Sequence, residues 1–423
     1  MREIIPIHVG KCGNRISERF WHNLLSEHGL LTSTPKHLDS INVYFKENSQ
    51  GKFTSRGLFT DQGGDFLKEV KDLYEQEIIS TGNMIYTECS SNGNWANGFY
   101  TDGAELCEII IETIRSEVEN CENFQGFQII HSIGGGCGGG LGSCIASQIK
   151  EIFPETLIES YAVLYSHGTT DRVVEPYSTT LSLNQLSQHA DGIYFLDNDA
   201  LYSICFETFK LSTPSYEDLN HIISQALSEI TSLYRSDLSS GNSMKNNLSA
   251  LVHYPNLKYF TSSIAPLKHP NLRHYKQKNS ESLFFELKDK KNMLTKTSWD
   301  KGKFISGITH FRGENFDLNG VRDAIYNDMK WNKRSYTNIF SENMEVKFSD
   351  IKSDDIKESA MLIANTSVVK EKLKFINIQF QALHKRKAFF TYYLGNGMDS
   401  FEFEEASNNL VNIVEEYEQI QNL

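Results

Sequence analysis

The sequence predicts an α/β protein: a doubly wound, mostly parallel sheet, then a mixed α+β unit, then a C-terminal pair of helices. Three observations predict it. Strand-like and helix-like segments alternate over about the first 200 residues, the pattern of a parallel sheet with crossover helices. From about position 206 to 370 the chain turns richer in Lys, Asn and Ser, and its periodicity weakens. Beyond 371, apolar residues recur at steps of three and four. The expected division is 1–205, 206–370 and 371–423, and at 423 residues the chain is long for a single core.

The elements follow in order. "EIIPIHVG" is apolar and β-branched and breaks at Gly10, a strand entering a turn. "NRISERFWHNLLSEHG" places Ile16, Phe20 and Leu24 at helical spacing and ends at Gly29. "INVYF" and "RGLFTD" read as strands, and "DGAELCEIIIETIRSEVE" as a helix. "FQGFQIIHSI" is a strand that runs into "GGGCGGGLG"; Leu141, Ile145, Ile149 and Ile152 then mark one face of a helix. "LIESYAVLY" and "DGIYFLD" add two strands. Near the end, Leu373, Ile376, Phe380 and Leu383 share a helical face. Phe403, Ala406, Leu410, Ile413, Tyr417 and Ile420 form a narrow apolar seam opposite a Glu-rich face, expected to lie on the protein's own surface.

Composition excludes several classes. A formal charge of -13 argues against general binding to nucleic-acid phosphates. No apolar run reaches the roughly 18 residues that span a bilayer, and the opening "MREIIPIHVGKCGN" is broken by Pro6 and too short for a secretory signal. All seven cysteines precede position 206, with no CxxC pair and no Cys/His cluster at metal spacing. A reducing cytosol is therefore expected, without a disulfide framework or structural zinc. HExxH and GxSxG are absent, and no Ser/His/Asp set assembles from sequence alone. No catalytic residue is assigned.

Seven glycines fall between Gly134 and Gly142, from the end of a strand to the start of a helix. Glycine weakens both kinds of element, so such a run serves a turn, a linker or a close backbone approach. Apolar periodicity on both flanks argues against a linker. A phosphate-cradling turn fits, because backbone N–H groups and the positive end of the helix would face an anion. The run is neither GxxxxGK[ST] nor a clean GxGxxG, and "HVGKCGN" supplies no dinucleotide fingerprint after the first strand. The basic stretch "KHPNLRHYKQK" from position 268 reads as a solvated loop or a contact loop for an acidic partner.

Six stretches together resemble the tubulin family, and its β branch in particular. They are "MREIIPIHVGKCGNRISERFW", "WANGFYTDGAEL", "FQIIHSIGGGCGGGLGS", "VVEPYSTTLSLNQL", "LDNDALYSICFETFKLSTPSYEDLNH" and "RKAFFTYYLGNGMDSFEFEEASNNLVNIVEEYEQ". The resemblance runs in consistent order from Met1 to about Gln421 and implies the tubulin fold. It implies bound GTP or GDP, with Gly134, Gly135, Gly136, Cys137, Gly138 and Gly140 at the phosphates, their side chains absent so that amides can hold the anion. Gly10, Lys11, Cys12 and Arg15 would form the first phosphate loop, with Ser132 beside the glycine run. Asp171 and Glu175 would approach the ribose, Asn198 and Asn220 would read the guanine edge, and Tyr216 would stack on its face.

This chain departs from the family pattern at the phosphate end. Lys11 and Arg15 stand where the family has Gln, Gly63 where an acidic residue helps hold Mg²⁺, and Gly93 where it has Asn. Cys137 and Gly139 replace a Thr and a Ser. The expectation is a local shift of about +3, with an ammonium standing in part for a divalent ion; Mg²⁺ remains a candidate companion of the nucleotide. In "DLSSGNSMKNNLSAL", Leu238, Gly241 and Ser243 replace Gly, Asn and Asp of the loop that reaches a neighbour's nucleotide. Asn246 occupies the place of the catalytic Glu of the α branch and cannot accept a proton at neutral pH. Whether GTP is hydrolysed therefore stays open. The sequence stops at Leu423, where β-tubulins begin an acidic tail, so tail glutamylation is not expected.

Two functional readings stand. One is a guanine-nucleotide-binding subunit of microtubule-type filaments in the cytoplasmic cytoskeleton. It would pair with an α-tubulin-like partner and neighbouring subunits, and present its acidic helix to microtubule-associated proteins, with no nucleic acid or membrane involved. The other is a pseudo-tubulin that caps, decorates or regulates microtubules without a hydrolysis cycle.

Overall fold

The computed structural model describes residues 2–31, 36–48, 51–170, 172–236, 242–269, 280–313, 318–332, 335–337, 344–351 and 358–422. The strands, in chain order, are β1 (Glu3–Val9), β2 (Phe45–Glu47), β3 (Phe53–Ser55), β4 (Leu58–Gln62), β5 (Met84–Thr87), β6 (Phe124–Ser132), β7 (Leu157–Leu164), β8 (Gly192–Asp197), β9 (Tyr259–Ala265), β10 (Phe304–Arg312), β11 (Met344–Ser349) and β12 (Ser359–Thr366). Two compact units form. The first takes in Met1–Glu18, Asn42–Tyr194 and Lys372–Glu415; the second takes in Arg19–Ile41, Phe195–Glu371 and Glu416–Leu423.

In the first unit the strands lie in the order β7-β6-β1-β4-β5, and every pairing is parallel. Strands covered by crossover helices read as continuous apolar runs, and all seven residues of β1 are buried. The order reverses beside β1: the chain proceeds outward through β4 and β5, then returns to place β6 and β7 on the other side. The predicted doubly wound parallel sheet is present. "INVYF" is an exception, because residues 42–44 form a turn and only Phe45 enters a strand, the short antiparallel β2–β3 ribbon. A turn there carries the chain to Arg56, whose Nε donates to the Asn42 and Phe45 carbonyls at 3.1 Å each.

The C-terminal segments complete this unit's core. Trp95, Tyr177, Leu181, Phe380, Tyr393, Met398, Phe403 and Ala406 form one buried cluster. The seam of the helix Phe401–Asn422 packs inward as expected: Phe403, Ala406, Leu410 and Ile413 are buried in this unit, Tyr417 is buried in the second, and Ile420 is half-buried.

The second unit is mixed: β11 pairs parallel with β10, while β10–β12 and β12–β9 are antiparallel. Its apolar cluster includes Leu283, Phe284, Trp299, Phe304, Phe311 and Leu362. A buried ion network lies in the same unit. Glu27 meets Arg235 at 2.7 Å and Arg312 at 3.0 Å, and Arg312 meets Glu229 at 3.3 Å. Burial pushes the Glu27 carboxyl up, but the two guanidiniums and the Ser228 hydroxyl outweigh it and hold Glu27 below the ordinary carboxylate range. Glu229 has fewer such partners, and burial leaves it raised.

Candidate functional site

Ligands of open α/β sheets sit outside the carboxyl ends of strands at the point where strand order reverses. Here that point lies between β1 and β6, whose ends stand in register, with Val9, the last residue of β1, opposite His131, the last but one of β6. Each strand passes almost directly into a helix, Gly10–Glu27 after β1 and, after a π-helical turn over Gly136–Leu141, Gly142–Ile152 after β6. Gly10 makes the first junction with φ +72°, and a methyl group there would lie 3.2 Å from the Gly138 nitrogen and 3.4 Å from Cys137 Sγ. Gly10, Ser132, Cys137 and Gly138, named separately from sequence, thus meet at one place.

Most of the glycine run, however, lacks side chains for an internal reason. A methyl group would lie 2.5 Å from Ser91 Oγ at Gly136, 2.4 Å from the Ser132 carbonyl at Gly138, 2.3 Å from the Trp95 carbonyl at Gly140 and 2.6 Å from His131 Nδ1 at Gly142. This corrects the expectation that the glycines exist only to free their amides. The run begins a helix that presses against β6 and the helix Trp95–Tyr100, and close packing leaves no room for Cβ. His131 fastens it: Nδ1 donates to the Gly138 carbonyl at 2.6 Å, which leaves Nε2 to accept from Ser160 Oγ at 2.8 Å. Burial holds this imidazole neutral, its pKa down to about 4 against the pull of the Gly138 bond. Trp95 Nε1 donates to Ser182 Oγ at 3.0 Å, and Ser182 donates to the Ile133 carbonyl at 3.1 Å, fixing the entry to the run.

Gly134 and Gly135 differ. The nearest neighbours of a methyl group would be the Glu175 side chain and Tyr165 Cδ1, each at 3.5 Å, at Gly134, and Arg172 Nη1 at 3.5 Å at Gly135. All are side chains at ordinary contact distance, so no backbone crowds this side of the run. Burial raises the Glu175 carboxyl, and the Thr170 hydroxyl and Arg172 charge moderate the rise.

The charge expected beside the phosphates is redistributed. Lys11 and Arg15 lie four apart on one helix, and Asp65 and Glu69 lie four apart across the Phe66–Glu69 turn. Lys11 Nζ sits 3.4 Å from Glu69 and 3.8 Å from Asp65, while Arg15 grips Glu69 through Nε and Nη2, the latter at 3.0 Å. Of the predicted shift of about three charges, the two cations are therefore matched by two carboxylates the sequence reading left out. Cys137 is also engaged: its Sγ accepts from the Gln62 backbone N–H at 3.4 Å, and its thiol near the Asp61 carboxyl holds that group down against burial. Burial lifts Asp61 to about 6, and Cys12, buried near Arg15, is pushed up to about 12.

A Mg²⁺ ion fits this acid set poorly. A methyl group at Gly63 would meet nothing within 4 Å, so no side chain approaches from there. Asp65 serves Lys68 and Lys11, Glu69 serves Lys11 and Arg15, and Asp61 serves Cys137. A polyphosphate is better matched, since no backbone crowds Gly134 and Gly135 and the Arg172 guanidinium stands beside Gly135. Gln62, buried at the end of β4, also has no partner for Nε2 or Oε1 among the described residues.

The residues expected at the base lie in the second unit. Asn198 opens the helix Asn198–Ser203, capped by Asp197, whose carboxylate accepts from the Asp199 N–H at 3.1 Å. Tyr216 and Asn220 lie in the first turns of Tyr216–Arg235, which starts with a reciprocal Ser215–Asp218 cap. The two helices pack on each other, Tyr216 is exposed, and Asn198 and Asn220 are half-buried. Asp171 lies outside the described residues, as do Leu238, Gly241 and most of "KHPNLRHYKQK". Ser243 and Asn246 are described: Ser243 Oγ caps the helix Met244–Leu251 by accepting from the Asn246 N–H at 3.2 Å.

Sequence reasoning missed His131, Asp65, Glu69 and Arg172. The paired i,i+4 spacing of cations at 11/15 and acids at 65/69 was a signal for the second and third. His131 stood directly before the run. Nothing in the local pattern marked Arg172.

Two family models match the chain: the Tubulin/FtsZ family GTPase domain over residues 3–206, and the Tubulin C-terminal domain over residues 255–378. A tubulin beta chain of Aspergillus fumigatus is 35% identical over 427 residues, covering 100% of this chain and 95% of that one. A nucleomorph tubulin beta chain of Guillardia theta is 36% identical over 427 residues, covering 100% of this chain and 97% of that one.

Proposed function

The chain belongs to the tubulin family, and from that premise we propose that it is a guanine-nucleotide-binding subunit of microtubule-type filaments, paired with an α-tubulin-like partner. The observation that carries this reading is the meeting of Gly10 with Cys137 and Gly138 at the carboxyl ends of β1 and β6, where the strand order reverses. Two helix N-termini and an open glycine edge at Gly134–Gly135 suit a polyanion. In this reading residues 1–205 bind nucleotide, 206–370 form the intermediate domain and 371–423 the C-terminal helices.

When bound, the nucleotide supplies a phosphoanhydride whose charge the site must balance. Gly10 and the start of the glycine run present backbone N–H groups to it. Lys11 and Arg15 contribute charge to the extent that Asp65 and Glu69 release them. Glu175 approaches the ribose, and Asn198, Asn220 and Tyr216 recognise the base. Mg²⁺ is not required by this arrangement, and binding should depend on it only weakly. Asn246 offers no general base to a neighbour's nucleotide, so hydrolysis is not assigned to this chain. Its place is the cytoplasmic cytoskeleton.

The test is to purify the chain, extract its nucleotide, then mix it with α-tubulin and GTP. Stoichiometric GTP or GDP, and heterodimers that co-assemble, are expected. Folded, nucleotide-free protein that still coats or caps preformed microtubules would instead establish the pseudo-tubulin reading.

A further inference from the structure

We infer that Arg172 is a phosphate-contacting residue of this chain, holding the polyphosphate against the open edge of the glycine run. The inference deepens the nucleotide-binding reading above and rests on it. Its basis is the position of the Arg172 guanidinium. A methyl group on Gly93 would lie 3.3 Å from Nη1 and 3.7 Å from Cζ, and one on Gly135 would lie 3.5 Å from Nη1. One nitrogen therefore covers the bare Cα atoms of both glycines, on the side of the run that internal packing leaves open. A side chain at position 93 would crowd this guanidinium from its present place.

The support beneath it is fixed. Gly93 turns with φ +80°. The Tyr392 hydroxyl donates to the Asn92 carbonyl at 3.0 Å, and Asn94 Nδ2 donates to the Tyr392 carbonyl at 2.7 Å. Asn94 also caps the helix that follows, accepting from the Ala96 N–H at 3.0 Å. The turn that carries Gly93 is thus held on both sides.

The guanidinium itself is uncommitted. Arg172 is exposed, and among the described residues it makes no ion pair within 4 Å and no side-chain hydrogen bond; Glu175 and Tyr392 feel its charge only at longer range. Lys11 and Arg15 are in the opposite condition, each engaged by carboxylates. Of these three cations, Arg172 alone reaches the glycine edge without first breaking a pair. Its planar fork suits two phosphate oxygens at once.

The test uses the full chain with GTP, GDP and guanosine as probes, binding followed by calorimetry. Arg172→Ala is expected to weaken GTP and GDP by about ten- to a hundred-fold, the worth of a charge-assisted hydrogen bond, and to leave guanosine unchanged. Arg172→Lys should keep part of the affinity and serves as a second variant should the alanine chain disturb the loop. Unchanged GTP affinity in Arg172→Ala, or a loss shared equally by guanosine, overturns the inference while the nucleotide reading stands. Failure of the unsubstituted chain to bind either GTP or GDP removes both.

Discussion

Acidification from about pH 7 to about pH 5 should loosen the protein before most of its carboxylates titrate. Four histidines are fully buried and held neutral, His8 and His131 in the first unit and His28 and His310 in the second. Burial drives His8 to about 3, His28 to about 3 and His131 to about 4. His310 lies well below its usual value through burial and then the nearby Arg312, Lys347 and Arg235 charges. The sign follows from which state takes the proton. The unfolded imidazole binds one below about 6.5 and the folded one refuses it, so stability falls as pH drops below that value and keeps falling until the folded pKa is reached. Linkage gives about 0.7 kcal/mol per histidine by pH 6 and about 2 kcal/mol by pH 5.

For four groups the loss at pH 5 is about 8 kcal/mol as an upper bound, comparable with the whole stability of a typical domain. Asp61 opposes it. Its folded carboxyl, lifted by burial to about 6, takes a proton before the unfolded one does and returns about 1 kcal/mol at pH 5. Glu229, also raised, acts in the same sense. Glu27, held low, keeps its charge through this window and contributes no slope. Urea unfolding followed by tryptophan fluorescence at about pH 7, 6 and 5 measures the effect. His8→Phe retains the stacking on Phe59, now at a ring separation of 5.0 Å, and should remove about 2 kcal/mol of the fall. An unfolding free energy constant within about 1 kcal/mol from pH 7 to pH 5 would refute the reasoning.

Four further outcomes follow from the same geometry. Gly140→Ala forces a methyl group to 2.3 Å from the Trp95 carbonyl and should cost about 1–3 kcal/mol by thermal denaturation. Gly135→Ala faces only the Arg172 side chain and should change stability by less than about 0.5 kcal/mol while lowering GTP affinity. Glu27→Gln leaves Arg235 and Arg312 short of a buried counter-charge and should cost about 3–5 kcal/mol in urea. Glu69→Gln, which unties the half-exposed Lys11 and Arg15, should hardly alter stability and should tighten GTP binding, read by nucleotide titration.

The parallel sheet of the first unit was legible because its strands are apolar and β-branched and end on glycine, as "EIIPIHVG" and "FQIIHSIGGG" do. The C-terminal seam was legible for a related reason: Phe403, Ala406, Leu410, Ile413 and Tyr417 keep helical spacing and are buried. "INVYF" misled because an apolar run marks burial before it marks conformation. Val43 and Tyr44 are buried, yet they sit in a turn. At the site, residue types that resemble the family could be named, while long-range partners could not. The contacts of Cys137 with Gln62 and Asp61, at the end of β4, join residues that only the parallel register of β1, β4 and β6 brings together.

The charge pattern at the site explains why the cations at 11 and 15 and the acids at 65 and 69 belong together. Unopposed, Lys11 and Arg15 would repel each other and the positive end of the helix that carries them. Asp65 and Glu69 remove that penalty without a metal ion. Lys11 and Arg15 are about half-exposed although Glu69 is only 7% exposed, and ion pairs that reach the surface contribute only about 0–1 kcal/mol each. A polyphosphate therefore competes with these carboxylates on favourable terms, whereas a divalent ion would compete with the cations for the acids. On the proposed reading, the same two carboxylates would make nucleotide binding depend only weakly on Mg²⁺. Chelation should leave nucleotide affinity within about threefold if the two acids stay on their cations, and a larger loss, one worth more than about 0.7 kcal/mol, would mean that they do not.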